Sequence, residues 1–260
     1  MKIQALPLAV GTLPLAVWML WPPRAAPTPA TLLVAAAASL HPVWPAVVSL
    51  CETTQPGLKI RSTLAASGAL QRQIEQGAPI DVFVSAAAQP MQRLEEQGLL
   101  EPGTRQNLLT NRLVLIAPKS AAVAFTSFLQ LGQPAIRRLA IGEPRSVPVG
   151  QYAAEVLRNL GLWESLAAKL VYGQNVRAVL TAVATGHADA GIVYLTDAKS
   201  SPQVTVVAMA PARLHPPIVY PVAVVRGSRS LAAARKFIAC LQSPPAKAQF
   251  ARYGFGFPVP

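Results

Sequence analysis

The sequence contains few of the residues on which metal sites and catalytic centres usually depend. Its 260 residues include only three histidines and two cysteines, which lie far apart at His41, His187, His215, Cys51 and Cys240. Because a metal ion needs several such ligands at close spacing, we expect no metal site. The G-x-S-x-G, H-E-x-x-H and P-loop motifs are also missing, which argues against the enzymes that use them. An exported hydrolase that recruits His187 or His215 is kept only as an alternative interpretation.

Acidic residues are scarce as well. The chain has 11 acidic residues against 23 basic ones, which gives a net charge of +12 at pH 7. The basic residues are spread out, in pairs such as Arg137-Arg138 and Arg235-Lys236, without a basic run or interleaved aromatic residues. Since nucleic-acid sites concentrate such residues on one face, we expect no nucleic-acid partner. A positive field instead favours encounter with small anions.

Long apolar runs are confined to the N-terminus. Lys2 precedes the apolar stretch Ala5–Leu20, and a tract of small residues follows at Ala25–Ala30. This order of basic, apolar and small residues predicts an export signal over residues 1–30, and therefore a periplasmic protein. An uncleaved membrane anchor is the alternative, because the apolar run nearly reaches membrane-spanning length. The prolines and the glycine inside the run favour cleavage.

From Thr31 onward, strand-like apolar runs alternate with stretches that carry apolar residues at three-to-four spacing. This alternation is typical of βα units on a parallel sheet and predicts an α/β fold. The predicted strands are Leu32–Ala36, Leu58–Leu64, Pro79–Ser85, Arg112–Ala117, Arg137–Gly142, Leu170–Tyr172, Ala190–Tyr194, Val204–Ala208 and Ile218–Val225. The predicted helices are Pro42–Leu50, Ala69–Gln76, Pro90–Gln97, Gln151–Asn159, Arg177–Ala184, Leu231–Leu241 and Pro245–Arg252.

Two of the apolar runs end on a hydroxyl-bearing residue, VAAAAS at Val34–Ser39 and GIVY at Gly191–Tyr194. Ligands of open α/β folds bind beyond the carboxyl ends of parallel strands, where helix N-termini point unpaired N–H groups outward. Further helix-start signals occur at Ser67-Gly68, Pro148-Val149-Gly150 and Asn175-Val176. Helix capping explains each signal alone. Their shared placement after strands favours one oxyanion-binding site.

Eight segments resemble, in order, the periplasmic molybdate-binding protein of an ABC transporter. The resemblance covers nearly all of residues 31–257, in the segments AAAASL from Ala35, ASGALQRQIEQGAPIDVFVSA from Ala66, TRQNLLTNRLVLIAPK from Thr104, IGEPRSVPVGQYAAEVL from Ile141, NVRAVL from Asn175, GIVYLTDA from Gly191, YPVAVV from Tyr220 and FARYGF from Phe250. It implies the type II periplasmic binding protein fold, in which two α/β lobes are joined by two crossing strands and the ligand cleft lies between them.

The resemblance also implies where the lobes begin and end. Lobe one would hold residues 31–112 plus 221–260, and lobe two residues 113–220, with crossings near Leu113 and Tyr220. In this arrangement Cys51 and Cys240 share lobe one, so a disulfide between them is possible. The sequence leaves the redox state open, and we favour two free thiols.

By position, the resemblance implies five ligand-binding residues. Ser39 and Ser67 would donate from hydroxyl and amide groups, Val149 and Val176 from backbone amides, and Tyr194 from its phenol. The ligand would be molybdate or tungstate, with no cofactor and no metal beyond the molybdenum of the oxyanion, and a membrane permease would be the partner of a monomeric binding protein. Sulfate or phosphate is the alternative ligand.

The sequence departs from the commoner family pattern close to two of these positions. His41-Pro42 follows the first serine, and Val149 stands where many members carry alanine. Neither change removes a backbone N–H from the implied ligand set. Nearby, Arg177 is expected to be a solvated residue at a helix start, with a counter-charge for the anion as the alternative. Asp197 is expected to cap the helix after Tyr194, and orientation of the tyrosine is the alternative.

Overall fold

The computed structural model describes residues 1–2, 30–120 and 125–259. The predicted export signal at residues 1–30 lies almost wholly outside the described residues. Among the helices that are described, none is long and apolar enough to cross a membrane.

In the residues that the structure describes, ten strands form two sheets, and helices connect them. The strands are β1 (Ala30–Ala37), β2 (Leu58–Ala65), β3 (Val82–Val84), β4 (Gln106–Thr110), β5 (Leu113–Pro118), β6 (Leu139–Gly142), β7 (Leu170–Gly173), β8 (Ala190–Tyr194), β9 (Val204–Met209) and β10 (Val219–Val224). The helices are α1 (Trp44–Thr54), α2 (Ser67–Glu75), α3 (Ala88–Glu96), α4 (Pro148–Asn159), α5 (Trp163–Leu166), α6 (Val176–Ala184), α7 (Leu195–Lys199), α8 (Leu231–Leu241) and α9 (Pro244–Arg252).

Each sheet has five strands and mixed direction. The first sheet has the order β2-β1-β3-β10-β4 and the second the order β7-β6-β8-β5-β9. β1 pairs in parallel with β2 and β3, whereas β10 runs antiparallel to β3 and β4. In the second sheet β5 is the strand that runs antiparallel to its neighbours. The predicted α/β architecture is confirmed, although the sheets are mixed rather than wholly parallel.

The chain passes between the sheets twice. It leaves the first sheet after Thr110 and enters the second at Leu113, then returns between Met209 and Val219. The backbone N–H of Asn111 donates to the carbonyl of Ile218 at 3.2 Å, so the two connecting segments are bonded to each other.

The structure shows one strand that the sequence pattern missed and moves several helix starts. β4 was not predicted because its sequence, QNLLT, has only a short apolar stretch, and it is held by pairing with β10. Helices α2, α4 and α6 begin earlier than predicted. As a result Ser67, Val149 and Val176 lie inside first helical turns, where backbone N–H groups have no partner within the helix.

Cys51 and Cys240 form a disulfide, so the expectation of two free thiols was wrong. Helix α1 places Cys51 and helix α8 places Cys240 on faces that pack together, with the Cα atoms 5.8 Å apart. Both side chains are buried. The bond joins residues separated by 189 positions, and closing so long a loop removes about 5 kcal/mol of conformational freedom from the unfolded chain in the chain-entropy model. It ties α8, near the C-terminus, to α1, the helix that follows β1.

Candidate functional site

The carboxyl ends of the parallel strands from both sheets meet around one small cavity. In the first sheet β1 runs into a single 3-10 turn at Ala38–Leu40, and β2 leads into α2. In the second sheet α4, α6 and α7 follow β6, β7 and β8. The cavity is lined by Ala37, Ala38, Ser39, Ala65, Ala66, Ser67, Ala86, Val147, Pro148, Val149, Asn175, Val176 and Tyr194. All five residues named for ligand binding therefore lie together, while their binding role stays a prediction.

The cavity is small and closely surrounded. The volume open to the centre of a water-sized sphere is about 10 Å³, which is about the space that one water molecule needs. Five of the lining residues are alanines from the first-sheet half. Their short side chains allow the strand ends and the helix starts to approach one another closely.

Four backbone N–H groups at the cavity are buried and unpaired. Ser39, Ser67, Val149 and Val176 are each at most 4% exposed. Their N–H groups donate no hydrogen bond to any residue in the described part of the chain. Because a buried N–H without a partner is costly, such groups normally mark a bound water, ion or ligand. Placed in first helical turns, they carry partial positive charge and suit an anion.

Two of the hydroxyl groups at the cavity are held by neighbours inside the protein. Ser67 Oγ accepts a hydrogen bond from the backbone N–H of Ala86 at 2.9 Å, so its own proton remains available. Ser39 Oγ lies 2.9 Å from Tyr220 Oη. The third hydroxyl, Tyr194 Oη, donates weakly to the carbonyl of Ala86 at 3.3 Å.

The site is electrically neutral apart from helix dipoles. None of the described lining residues carries a charged side chain. Burial raises the pKa of Tyr194 well above its usual value of 10, so its phenol keeps the proton and can donate. Arg177, next to Val176, bonds to Ser200 Oγ at 2.9 Å instead of serving as a counter-charge. The arrangement can therefore bind a small anion through hydrogen-bond donors and dipoles alone.

The two halves of the molecule touch across the cleft. The N–H of Gly68 in α2 donates to the carbonyl of Ser146, just before α4, at 3.1 Å. Gln151 Nε2 donates to Gln89 Oε1 at 3.0 Å. Together with the contact between Tyr194 and Ala86, these bonds join the two halves across the cleft.

Asp197 is a buried carboxyl behind the site that the sequence did not identify as unusual. It is fully buried on α7, and neither carboxylate oxygen has a hydrogen-bond partner among the described residues. The expectation that Asp197 caps this helix was therefore wrong, because no side-chain cap bond forms. Burial raises the pKa of Asp197 to about 8, although the positive charge of Arg177 and the nearby backbone N–H of Tyr194 act in the opposite direction. At neutral pH the group is protonated and adds no negative charge beside the cavity.

Tyr220 and Asn111 are further polar residues next to Ser39, outside the cavity lining, to which the sequence pattern assigned no role. Tyr220 lies on β10, and Asn111 lies in the first connecting segment.

No metal-binding group of His, Cys, Asp and Glu side chains occurs within the ranges that the structure describes.

Comparison with known proteins supports a common family. A family model described as bacterial extracellular solute-binding protein matches residues 32–256. The molybdate-binding protein ModA of Haemophilus influenzae is 39% identical over 229 residues, which are 87% of this chain and 90% of that protein. ModA of Escherichia coli is 40% identical over 210 residues, or 77% of this chain and 79% of that protein.

Solved structures give the same result. The periplasmic molybdate-binding protein of Azotobacter vinelandii superimposes with a TM-score of 0.79 at 27% identity, covering 88% of this chain and all of that one (100%). Its fold agrees with the two mixed sheets and the cleft described above. The chain belongs to the family of bacterial extracellular solute-binding proteins.

Proposed function

We propose that this protein captures molybdate or tungstate outside the cytoplasm and delivers it to the permease of an ABC transporter. In this proposal Ser39, Ser67, Val149, Val176 and Tyr194 bind the anion. The observation that carries it is that four buried residues with unpaired N–H groups, Ser39, Ser67, Val149 and Val176, line one cavity together with three hydroxyl groups. The similarity to proteins named as molybdate-binding supports the choice of ligand.

Neutral donors are sufficient to hold a dianion. A hydrogen bond to a charged group contributes about 1.5 to 3 kcal/mol. Five or more such bonds offset the desolvation of the anion and correspond to micromolar to nanomolar affinity, or roughly 8 to 12 kcal/mol. Partial positive charges at the N-termini of α2, α4 and α6 act on the same small volume.

The chemistry of the donors favours molybdate and tungstate over other oxyanions. Both are tetrahedral dianions without a proton at neutral pH, so they accept hydrogen bonds at every oxygen. A protonated phosphate would bring a proton that finds no acceptor, which is costly in a buried site. Sulfate has the same charge and shape but shorter bonds, and in a rigid cavity it cannot reach all donors at once.

The proposed transport role needs an exported, two-lobed protein that can open and close. We propose that residues 1–30 direct export to the periplasm, with an uncleaved anchor as the alternative, and that the mature protein is a monomer. The lobes would be residues 31–112 plus 221–260 and residues 113–220. Hinge motion would occur in the two connecting segments, and the permease would recognise the closed form.

Titration calorimetry with molybdate, tungstate, sulfate and phosphate tests this function. We expect molybdate and tungstate to bind at micromolar or lower concentration, and sulfate and phosphate at least about a hundredfold more weakly, or about 2.8 kcal/mol. Equal affinity for sulfate would contradict the size argument. Preferential binding of sulfate or phosphate would make that anion the transported ligand. If none of the four anions binds, the proposal of oxyanion transport is refuted.

A further inference from the structure

A series of hydrogen bonds leads from Ser39 away from the cavity into the connecting segments. Tyr220 Oη lies 2.9 Å from Ser39 Oγ, and Asn111 Nδ2 lies 3.2 Å from Tyr220 Oη. The same amide nitrogen donates to Thr196 Oγ1 at 2.9 Å. Tyr220 is fully buried, and neither Tyr220 nor Asn111 lines the cavity. Their polar groups therefore act on a bound anion only through Ser39.

The direction of these hydrogen bonds follows from the chemistry of the groups. The backbone N–H of Arg112 donates to Asn111 Oδ1 at 2.8 Å, so the NH₂ group of Asn111 faces Tyr220 and Thr196. An amide NH₂ group only donates hydrogen bonds. Tyr220 Oη therefore accepts from Asn111 and keeps its own proton to give, and Ser39 Oγ, 2.9 Å away, is placed to accept that proton. The serine hydroxyl is left with its proton free to point into the cavity.

Ser67 is oriented in the same sense by a different neighbour. Its Oγ accepts from the backbone N–H of Ala86 at 2.9 Å. Both serine hydroxyls at the cavity thus receive a hydrogen bond from a fixed donor inside the protein. Each serine oxygen has two lone pairs, and the internal donor occupies one of them. For either serine to accept a proton from a ligand through the other, its own proton would have to turn away from the anion and lose that hydrogen bond, which costs free energy.

We propose that Tyr220 and Asn111 are specificity-determining positioning residues, which hold the Ser39 hydroxyl as a donor and so exclude oxyanions that carry a proton. This inference rests on the proposed oxyanion-binding function. It extends that function to residues that do not touch the anion. The ligand class that they reject is a protonated tetrahedral anion such as monohydrogen phosphate.

The test compares Tyr220→Phe with the wild-type protein. Phenylalanine keeps the buried ring but removes the donor to Ser39, whose hydroxyl can then turn to accept a proton from phosphate. We expect the ratio of the phosphate and molybdate dissociation constants to fall about tenfold. The ratio of the sulfate and molybdate dissociation constants should stay the same as in the wild type, because neither anion carries a proton. Phosphate binding is measured at about pH 8 by competition with molybdate.

Asn111→Asp gives a second, nearly isosteric variant. A carboxylate only accepts hydrogen bonds, so the proton of Tyr220 turns toward residue 111 and Ser39 again loses its donor. We expect the same fall in the phosphate-to-molybdate ratio. Tyr152→Phe is the matched control, because Tyr152 is a buried tyrosine whose ring lies 6.5 Å from that of Tyr194 and which takes no part in this series of bonds. Its ratios should equal those of the wild type.

The outcomes separate the two proposals. Failure of the wild-type protein to bind molybdate, sulfate or phosphate overturns the proposed function itself. If the wild type binds these anions but Tyr220→Phe lowers the affinity for all three by the same factor, Tyr220 has only a structural role and the positioning proposal is wrong. The same conclusion follows if Asn111→Asp leaves the phosphate ratio unchanged.

Discussion

Replacing Gly68 by alanine will weaken molybdate binding by roughly tenfold to a hundredfold, or about 1.4 to 2.8 kcal/mol. Gly68 lies in the first turn of α2, where it meets the opposite side of the closed cleft. A Cβ at this position would lie 2.6 Å from the carbonyl oxygen and 3.0 Å from the Cα of Ser146. Both atoms belong to the backbone and cannot turn away. The clash separates the donors near Ser67 from those near Val149.

The ligand-free protein should not be destabilised by this change. Alanine inside a helix is favoured over glycine by about 0.5 to 1 kcal/mol, and the proposed opening of the lobes would relieve the clash. Calorimetry gives the affinity, and urea unfolding gives the stability. Gly132→Ala is the matched control, because a Cβ there meets nothing within 4 Å. Unchanged molybdate affinity in Gly68→Ala would show that the close approach to Ser146 is not needed for binding.

Asp197→Asn will stabilise the protein by several kcal/mol at about pH 8 and above. In the unfolded chain the carboxyl has its ordinary pKa of 3.8, whereas burial raises the pKa in the folded state to about 8. At pH values between these two pKa values, the carboxyl of Asp197 is protonated in the folded protein but ionised in the unfolded chain. The contribution of this group to the free energy of unfolding therefore falls by roughly 1.4 kcal/mol for each pH unit. An amide at this position does not titrate.

Urea unfolding of both proteins from about pH 4 to pH 9 measures this effect. The two should have similar stability near pH 4, and the advantage of the variant should grow up to about pH 8 and then level off. Arg177 is the charged group that acts on the pKa of Asp197, and Asp197 in turn acts on the pKa values of Tyr194 and Tyr220. A difference that does not change with pH would show that the carboxyl is not held neutral.

The same variant has a consequence for binding. An ionised Asp197 raises the pKa of both Tyr194 and Tyr220 through its negative charge, and that charge also disfavours a dianion in the cavity. We expect molybdate affinity of the wild type to decline above about pH 8 and that of Asp197→Asn to decline less. Equal decline in both proteins would exclude Asp197 as the cause.

The sequence predicted the elements of the fold well where apolar runs are continuous. β8 has the predicted bounds, because GIVY is a buried run closed by Tyr194. β4 was missed because a short segment with a polar start becomes a strand only through its pairing with β10. The starts of two helices were also misplaced. Ser67 and Pro148 were expected to precede α2 and α4, but each is the first residue of its helix.

Features that depend on contacts between distant segments could not be predicted from local patterns. The disulfide requires that the buried faces of α1 and α8 meet, and a separation of 189 residues carries no information about that. The bond between Ser39 and Tyr220 likewise joins residues 181 positions apart. Asp197 has the sequence context of a helix cap, and only the packing around α7 shows that its carboxyl is isolated.

Crystallisation with molybdate, with anomalous diffraction measured at the molybdenum absorption edge, tests the central claim most directly. We predict one molybdenum peak in the cavity, with oxygens about 2.7 to 3.1 Å from the hydroxyls of Ser39, Ser67 and Tyr194 and the N–H groups of Val149 and Val176. A peak outside the cavity, or oxygens held mainly by charged side chains, would contradict the account.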